Sequence, residues 1–377
     1  MDVVYLDFAK AFDKVDYGIL LAKLRTIGIS GQLLKWLCSF LTGRKQVVNI
    51  EGSLSSEGPV TSGVPQGSSL GPLLFLIHIA DIDAEVDHVV VSSFADDTRL
   101  TLVANDIPSY QGMQQDLNKV YHWANVNNMS FNMDKFELIR YGPKNDDAPN
   151  YHSPNGVQIK EVNNVRDLGV EMEGTSSFSL HMGNAIKRSS NLSSWVLRVF
   201  KTRDQNVMMT LFNSLVVPHM EYCCQLWSPH LLGDIRRLEA VQRSSTARIS
   251  GIGQLSYWER LQRLKLYSLE RRRERYIIMY TFKIIQGFVP NFNDQRFSLK
   301  TQFTVRMDRI CKIPAINTNS TAKIKNRVEN SFAVQGPKLF NCLPPVLRIF
   351  QGFFQTFKLK LDKLFSKVPD KPWTPGY

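Results

Sequence analysis

The chain has 377 residues, 43% of them apolar, and a formal net charge of +12, enough apolar content for two domains with proper cores. Its five cysteines (Cys38, Cys223, Cys224, Cys311, Cys342) show neither CxxC nor Cys/His zinc spacing, which argues against a disulfide scaffold and for a reduced intracellular protein. No apolar run reaches the roughly 18 residues of a membrane helix, and the chain starts on a strand pattern with no signal peptide.

Val3-Val4-Tyr5-Leu6-Asp7-Phe8 is an apolar run that ends on an acid. A carboxylate at the mouth of a buried strand is costly unless a cation or donors compensate it. Asp13 and Asp16 suit the start of a helix, and Ile19, Leu20, Leu24 and Ile27 give helical spacing over 17–29. Leu33, Leu34, Trp36, Leu37, Phe40 and Leu41 predict a second helix stopped by Gly43, with Trp36 and Phe40 in the core. Residues 46–50 and 58–61 predict a hairpin leading into a Gly/Pro-rich loop, 63–72. That loop presents backbone N–H groups before a buried helix that starts at Pro72. Phe94-Ala95-Asp96-Asp97-Thr98, flanked by β-prone runs, predicts a strand–turn–strand hairpin with two adjacent acids at its tip.

Residues 109–126 predict a helix with Met113, Leu117, Val120, Trp123 and Ala124 on one face. Asn132 and Lys135 precede a strand over 136–141. Residues 145–156, rich in Asn, Asp, Pro, Ser and Gly, are the best linker candidate, and Leu168-Gly169 turns a further hairpin. Alternating strands and helices through this half predict an α+β domain, an antiparallel sheet backed by helices.

From Phe178 the pattern is helical, over 178–200, 205–217, 231–250, 256–286 and 355–367. Charge divides the same way. Residues 1–175 hold 14 Lys/Arg against 22 Asp/Glu, a net −8, and residues 176–377 hold 32 against 12, a net +20. An acidic first half and a basic second half fit a cation-binding centre joined to a domain that holds a polyanion; a basic half that merely solubilises helices is the plainer alternative. Arg236, Arg237, Arg243 and Arg248 project from one helix side, opposite Ile235, Leu238, Val241 and Ile249, and Arg271, Arg272 and Arg273 form a denser run. These seven arginines are the expected nucleic-acid contacts.

Taken in order, LDFAKAFDKVD, GVPQGSSLGPLLF and FADDT resemble motifs A, B and C of reverse transcriptases, in the wording of jockey-like, LINE-type (non-LTR) retrotransposons. Asn132 and Lys135 resemble motif D, with Phe136 a mild departure, and the Leu168-Gly169 hairpin resembles motif E. PHMEYCCQLWSPH, LEAVQRSSTARISGI and FNCLPPVLRIF resemble the same family's C-terminal region. The resemblance implies a reverse-transcriptase palm over 1–145, a linker and motif-E-like hairpin over 146–175, and a mostly helical, basic, thumb-like region over 176–377.

It further implies an RNA-directed DNA polymerase that joins dNTPs to a DNA primer on an RNA template, with two Mg²⁺ ions for which Mn²⁺ can substitute. Asp7 and Asp96 would bridge the ions, Asp97 would supply the third acid, and the Phe8 carbonyl would complete one shell. Phe12 would form an aromatic wall under the incoming sugar, Gln66 and Gly67 would lie against nucleotide and template, and Lys135 would place an ammonium near the pyrophosphate. A core Phe12 and a solvated Lys135 are the plainer alternatives. The family's fingers and endonuclease lie upstream of the first motif, where this sequence begins, so a non-catalytic binding remnant or inert fossil is the alternative to an enzyme. No membrane partner is implied, and the expected location is nucleus and cytoplasm.

Overall fold

The computed structural model describes residues 1–142, 148–289, 299–302, 308–311, 322–368 and 370. Two compact units divide the chain, 1–177 and 178–377.

In the first unit the strands are β1 (Asp2–Asp7), two short pairs β2 (Lys45–Gln46) with β5 (Gly58–Pro59) and β3 (Asn49–Ile50) with β4 (Ser53–Leu54), then β6 (Val90–Phe94), β7 (Asp97–Leu102), β8 (Glu137–Arg140), β9 (Lys160–Glu161), β10 (Asn164–Asp167) and β11 (Val170–Glu173). The helices are α1 (Tyr17–Thr26), α2 (Gly31–Leu41), α3 (Gly71–Ile79) and α4 (Ile107–Val126). The main sheet runs β6-β7-β1-β8-β9, antiparallel except for the β8–β9 edge. The expected α+β class, an antiparallel sheet backed by helices, is therefore what forms.

Strand alternation assigns the two faces. Val4 and Leu6 join Leu20 and Leu24 of α1, Leu37 and Leu41 of α2, Phe75 of α3 and Leu117 of α4 in one core. Val3 and Tyr5 turn the other way, toward Ile139, Val165 and Met172. Asp7 shares that second face with Tyr5, so the helices never enclose it.

Two features differ from expectation. Trp36 is 54% exposed, stacked on the partly buried Phe40 with ring centroids 5.8 Å apart. α2 carries two adjacent apolar stripes, and Leu37 and Leu41 take the core side while Leu33 and Trp36 face outward. The described part of the expected linker is packed into the first unit: Tyr151 is buried and its hydroxyl donates to Asp2 Oδ2 at 2.8 Å. Asp2 is itself buried on the core face, so an otherwise costly carboxylate gains a donor from this stretch in addition to Arg140 of β8, whose Nε donates to the same oxygen at 3.4 Å. Residues 143–147 of that linker lie outside the described residues.

Asp116 ties α4 to the chain entering β6. Its buried side chain accepts from the backbone N–H groups of His88 (2.6 Å), Val89 (3.0 Å) and Asp87 (3.2 Å). Burial alone would raise its carboxyl, but these donors outweigh burial and hold it below the usual carboxylate range. A depressed folded-state pKa gives stability that is full above the unfolded value near pH 4 and lost as pH falls through the folded value. Asp116→Asn is thus expected to cost about 2 kcal/mol at pH 7, with the gap to wild type closing below about pH 4. Urea unfolding at several pH values measures this.

The second unit contains α5 (Ser179–Val199), α6 (Gln205–Leu211), a π-helical turn (Phe212–Val216), α7 (Val217–Glu221), α8 (Cys224–Trp227), α9 (Leu232–Thr246), α10 (Tyr257–Leu264), α11 (Leu269–Ile285), the β12 (Leu299–Gln302) and β13 (Asp308–Cys311) pair, α12 (Ala322–Glu329), α13 (Phe332–Asn341), α14 (Pro345–Arg348) and α15 (Phe354–Phe365). The single helix expected over 256–286 is broken where Lys265 turns left-handed (φ 54°) and Ser268 caps α11 by accepting from Arg271 N–H. Phe282 and Phe357, stacked at 3.8 Å, centre one core of this unit. Among the described residues no helix is long and apolar enough to cross a membrane.

Candidate active site

β1 and β7 are antiparallel neighbours with Asp7 directly opposite Asp97, and Phe94 opposite Asp97 closes the β6–β7 hairpin over Ala95-Asp96. Ala95 has φ 53°, a positive value at the first central residue of a two-residue turn, as type II′ geometry requires. The expected strand–turn–strand hairpin is present, but only Asp96 is on the turn; Asp97 begins β7. By alternation Tyr5, Asp7, Asp97 and Arg99 share one face of the sheet.

Lys135 arrives on that face through backbone pairing. Asn132 N–H donates to the Asp7 carbonyl at 2.8 Å, a 3₁₀ turn spans Met133–Lys135, and Lys135 Nζ then reaches Asp7 Oδ2 at 2.9 Å. The Asn-x-x-Lys spacing is what carries the ammonium to the acid. This pairing raises the Lys135 ammonium above its ordinary range. Asp97 is pushed up, first by partial burial and then by the Asp96 and Asp7 carboxylates, with Lys135 opposing.

A cavity of about 350 Å³ opens here, lined among others by Asp7, Asp97, Asp134, Lys135, Glu137 and Asp167. One wall is the β10–β11 hairpin, whose Leu168 and Gly169 both have positive φ (45° and 87°), the conformation a type I′ turn needs. Asp167 pins it: Tyr5 Oη donates to Asp167 at 3.2 Å, and Arg99 pairs with the same carboxylate. Sequence reading missed Asp167 and Arg99, because a pair 68 residues apart has no local pattern.

The other expected residues cluster beside, not inside, this cavity. Phe8 is buried and stacked on Phe131 (4.3 Å). Phe12 is partly buried and stacked on Phe75 of α3 (4.4 Å). Gln66 Nε2 donates to Asp13 Oδ1 at 2.9 Å, so Asp13 holds the glycine-rich loop while Asp16 caps α1. Gly67 has φ 80° and open space around it. Gly63 seals the loop against the turn after β1: its N–H donates to the Val15 carbonyl and Val64 N–H to the Phe12 carbonyl, both at 2.8 Å. A Cβ on Gly63 would stand 2.7 Å from Asp13 Cα and 2.8 Å from two carbonyl oxygens, at φ 85°. Gly63→Ala is therefore expected to cost about 3 kcal/mol in urea unfolding; a loss under about 1 kcal/mol would show that the two segments separate without penalty.

Can these residues hold a metal? Among the described residues, no three His, Cys, Asp or Glu side chains converge tightly enough to form a ligand cluster. Yet Asp7 and Asp97 are paired across the ladder with Asp96 next in chain, and among the described residues the cation paired with Asp7 is Lys135, on a flexible four-carbon stem. Clustered hard oxygen donors suit a divalent cation.

In the second unit the expected contacts divide. Arg236, Arg237 and Arg248 are exposed, and Arg243 is half-buried over the Tyr257 ring (5.3 Å). Arg271, Arg272 and Arg273 are instead internal. Leu269, Arg273 and Ile277, four apart, form the buried stripe of α11, leaving Arg273 2% exposed. Arg272 forks onto Glu221, with Nη2 to Oε2 at 2.9 Å, and Arg271 lies over the Phe365 ring near Glu274. A charge run read as surface is thus part of this unit's interior.

Residues 3–172 match the family model "Reverse transcriptase (RNA-dependent DNA polymerase)". Among curated relatives, the RNA-directed DNA polymerase from mobile element jockey of Drosophila melanogaster is 28% identical over 66% of this chain and 28% of its own length. The probable RNA-directed DNA polymerase from transposon X-element of the same fly is 26% identical with the same coverage, and that from transposon BS is 23% identical over 75% of this chain and 33% of its own. This chain thus spans about a quarter to a third of the length of these relatives. Over residues 3–172 the chain is thus similar to reverse transcriptases, and its curated relatives include RNA-directed DNA polymerases of jockey-like mobile elements.

Proposed function

We propose that this chain carries the catalytic palm of an RNA-directed DNA polymerase, acting on dNTPs, a DNA primer and an RNA template. The observation that supports it best is the opposition of Asp7 and Asp97 on the two central strands, with the Lys135 ammonium 2.9 Å from Asp7 in one open cavity.

Asp7 and Asp97, with Asp96 beside them, would supply the oxygen ligands for divalent cations. Divalent ions held there would lower the pKa of a primer hydroxyl and neutralise charge on the leaving pyrophosphate. Mg²⁺ suits oxygen ligands, and Mn²⁺ is the expected substitute. Lys135 holds Asp7 in orientation and carries a donor that can pass a proton to, or stabilise charge on, a departing phosphate oxygen. Phe12, its ring braced on Phe75, would act as the steric check on a 2′-hydroxyl. Gln66, held by Asp13, and Gly67, with no Cβ, leave the loop's backbone open to a nucleotide. Arg236, Arg237, Arg243 and Arg248 would serve phosphate contacts.

The test is extension of a labelled DNA primer on RNA and on DNA templates of one sequence, with Mg²⁺ or Mn²⁺. Extension on RNA that needs dNTPs and stops on chelation supports the reading. Salt-sensitive template binding with no extension under either metal would instead favour a non-catalytic remnant.

A further inference from the structure

α5 presents a face that nothing so far has used. Its 21 residues include no Asp or Glu. His181, Met182, Ala185, Ser189 and Val196 are buried, which leaves Asn184, Lys187, Arg188, Asn191, Trp195 and Arg198 together on the outer side. All six are exposed and border one shallow depression. Trp195 is 45% exposed, its only ring contact among the described residues being the edge-on Phe200 at 6.5 Å. Lys187, Arg188 and Arg198 make no ion pair among the described residues, unlike Arg271 and Arg272, which are committed to carboxylates.

Three free cations in a unit of strong positive charge call for a polyanion. The exposed indole between them narrows the choice. In a duplex the base faces are stacked on one another and unavailable to a side chain, whereas an unpaired strand offers each base for stacking. Asn184 and Asn191 add side chains that both donate and accept. Lys187 to Arg198 spans about 16 Å of helix axis, long enough for several nucleotides.

We propose that the outer face of α5 binds single-stranded nucleic acid, with Lys187, Arg188 and Arg198 on phosphates and a base stacked on Trp195. This rests on the reading that the chain handles nucleic acid, but not on its catalysing anything.

The experiment is fluorescence anisotropy of the full chain with a labelled single strand of about 12 nucleotides, as RNA and as DNA, against the blunt duplex of that length. Trp195→Ala is expected to weaken single-strand binding about tenfold, while Trp195→Phe, which keeps a stacking ring, stays within about threefold of wild type. The triple variant Lys187→Gln/Arg188→Gln/Arg198→Gln is expected to reduce the slope of log affinity against log salt by about 2 for a single strand. Circular dichroism checks that each variant is folded, which their exposed positions favour. Duplex binding as tight as single-strand binding, or binding indifferent to Trp195→Ala, overturns the proposal. RNA preferred over DNA would assign the strand as template, and the reverse as primer or target, either supporting the site. Asp7→Asn separates the two readings: it is expected to bind the strand as wild type does while losing extension. Intact extension with Trp195-independent binding would sink this proposal and leave the polymerase standing.

Discussion

Asp7→Asn and Asp97→Asn are each expected to lower primer extension on an RNA template about a thousandfold or more, with template affinity unchanged. The two residues face each other in register on the central strands, and both line the cavity. The amide keeps the shape but removes the charge that would hold a divalent cation. Asp97 is held up first by partial burial and then by the neighbouring Asp96 and Asp7 carboxylates, so replacing it or Asp7 with the neutral, isosteric amide is not expected to unfold the sheet. Unfolding curves that match wild type, together with lost extension, complete the result. Extension within about tenfold of wild type in either variant would remove that carboxylate from the centre.

Glu221→Ala is expected to destabilise the second unit by about 3 kcal/mol. It would strand the Arg272 guanidinium, which makes a forked contact with Glu221 at a site where the glutamate side chain is 10% exposed. Tyr276 Oη also donates to this carboxylate at 3.2 Å. Removing one partner of a largely enclosed pair costs more than the pair contributes, because the other is left desolvated. Urea unfolding followed by circular dichroism reports it, since most of the signal comes from helices. Arg272→Gln should behave likewise and weaken nucleic-acid binding only to the extent that it unfolds the protein. A stable Arg272→Gln with a reduced salt slope would return Arg272 to the binding surface.

These expectations also mark what the sequence disclosed. An apolar run ending on Asp7 and a hairpin carrying Asp96-Asp97 were legible because strand alternation and turn chemistry are local. The Asn132–Lys135 spacing stood out only through the resemblance to motif D, and a single 3₁₀ turn converts it into contact with Asp7. Arg273 was not legible: a helix with arginine at three consecutive positions has one of them on every face, and only the identity of the buried stripe shows which is inside. Trp36 failed for the related reason that α2 offers two apolar stripes and one core. Asp167 and Arg99 meet across 68 residues. The free face of α5 was overlooked because three cations spread over 12 residues look weaker than three in a row, although the absence of any acid in that helix was there to be read.

Binding of a divalent cation at Asp7 and Asp97 tests the central claim most directly. Free Mn²⁺ can be counted by electron paramagnetic resonance as wild type and the Asp7→Asn/Asp97→Asn variant are added, with Mg²⁺ as competitor. The expected result is binding by wild type that Mg²⁺ displaces and that the double variant, still folded, has lost. Equal Mn²⁺ binding by both proteins would contradict the assignment of these two carboxylates as the catalytic centre.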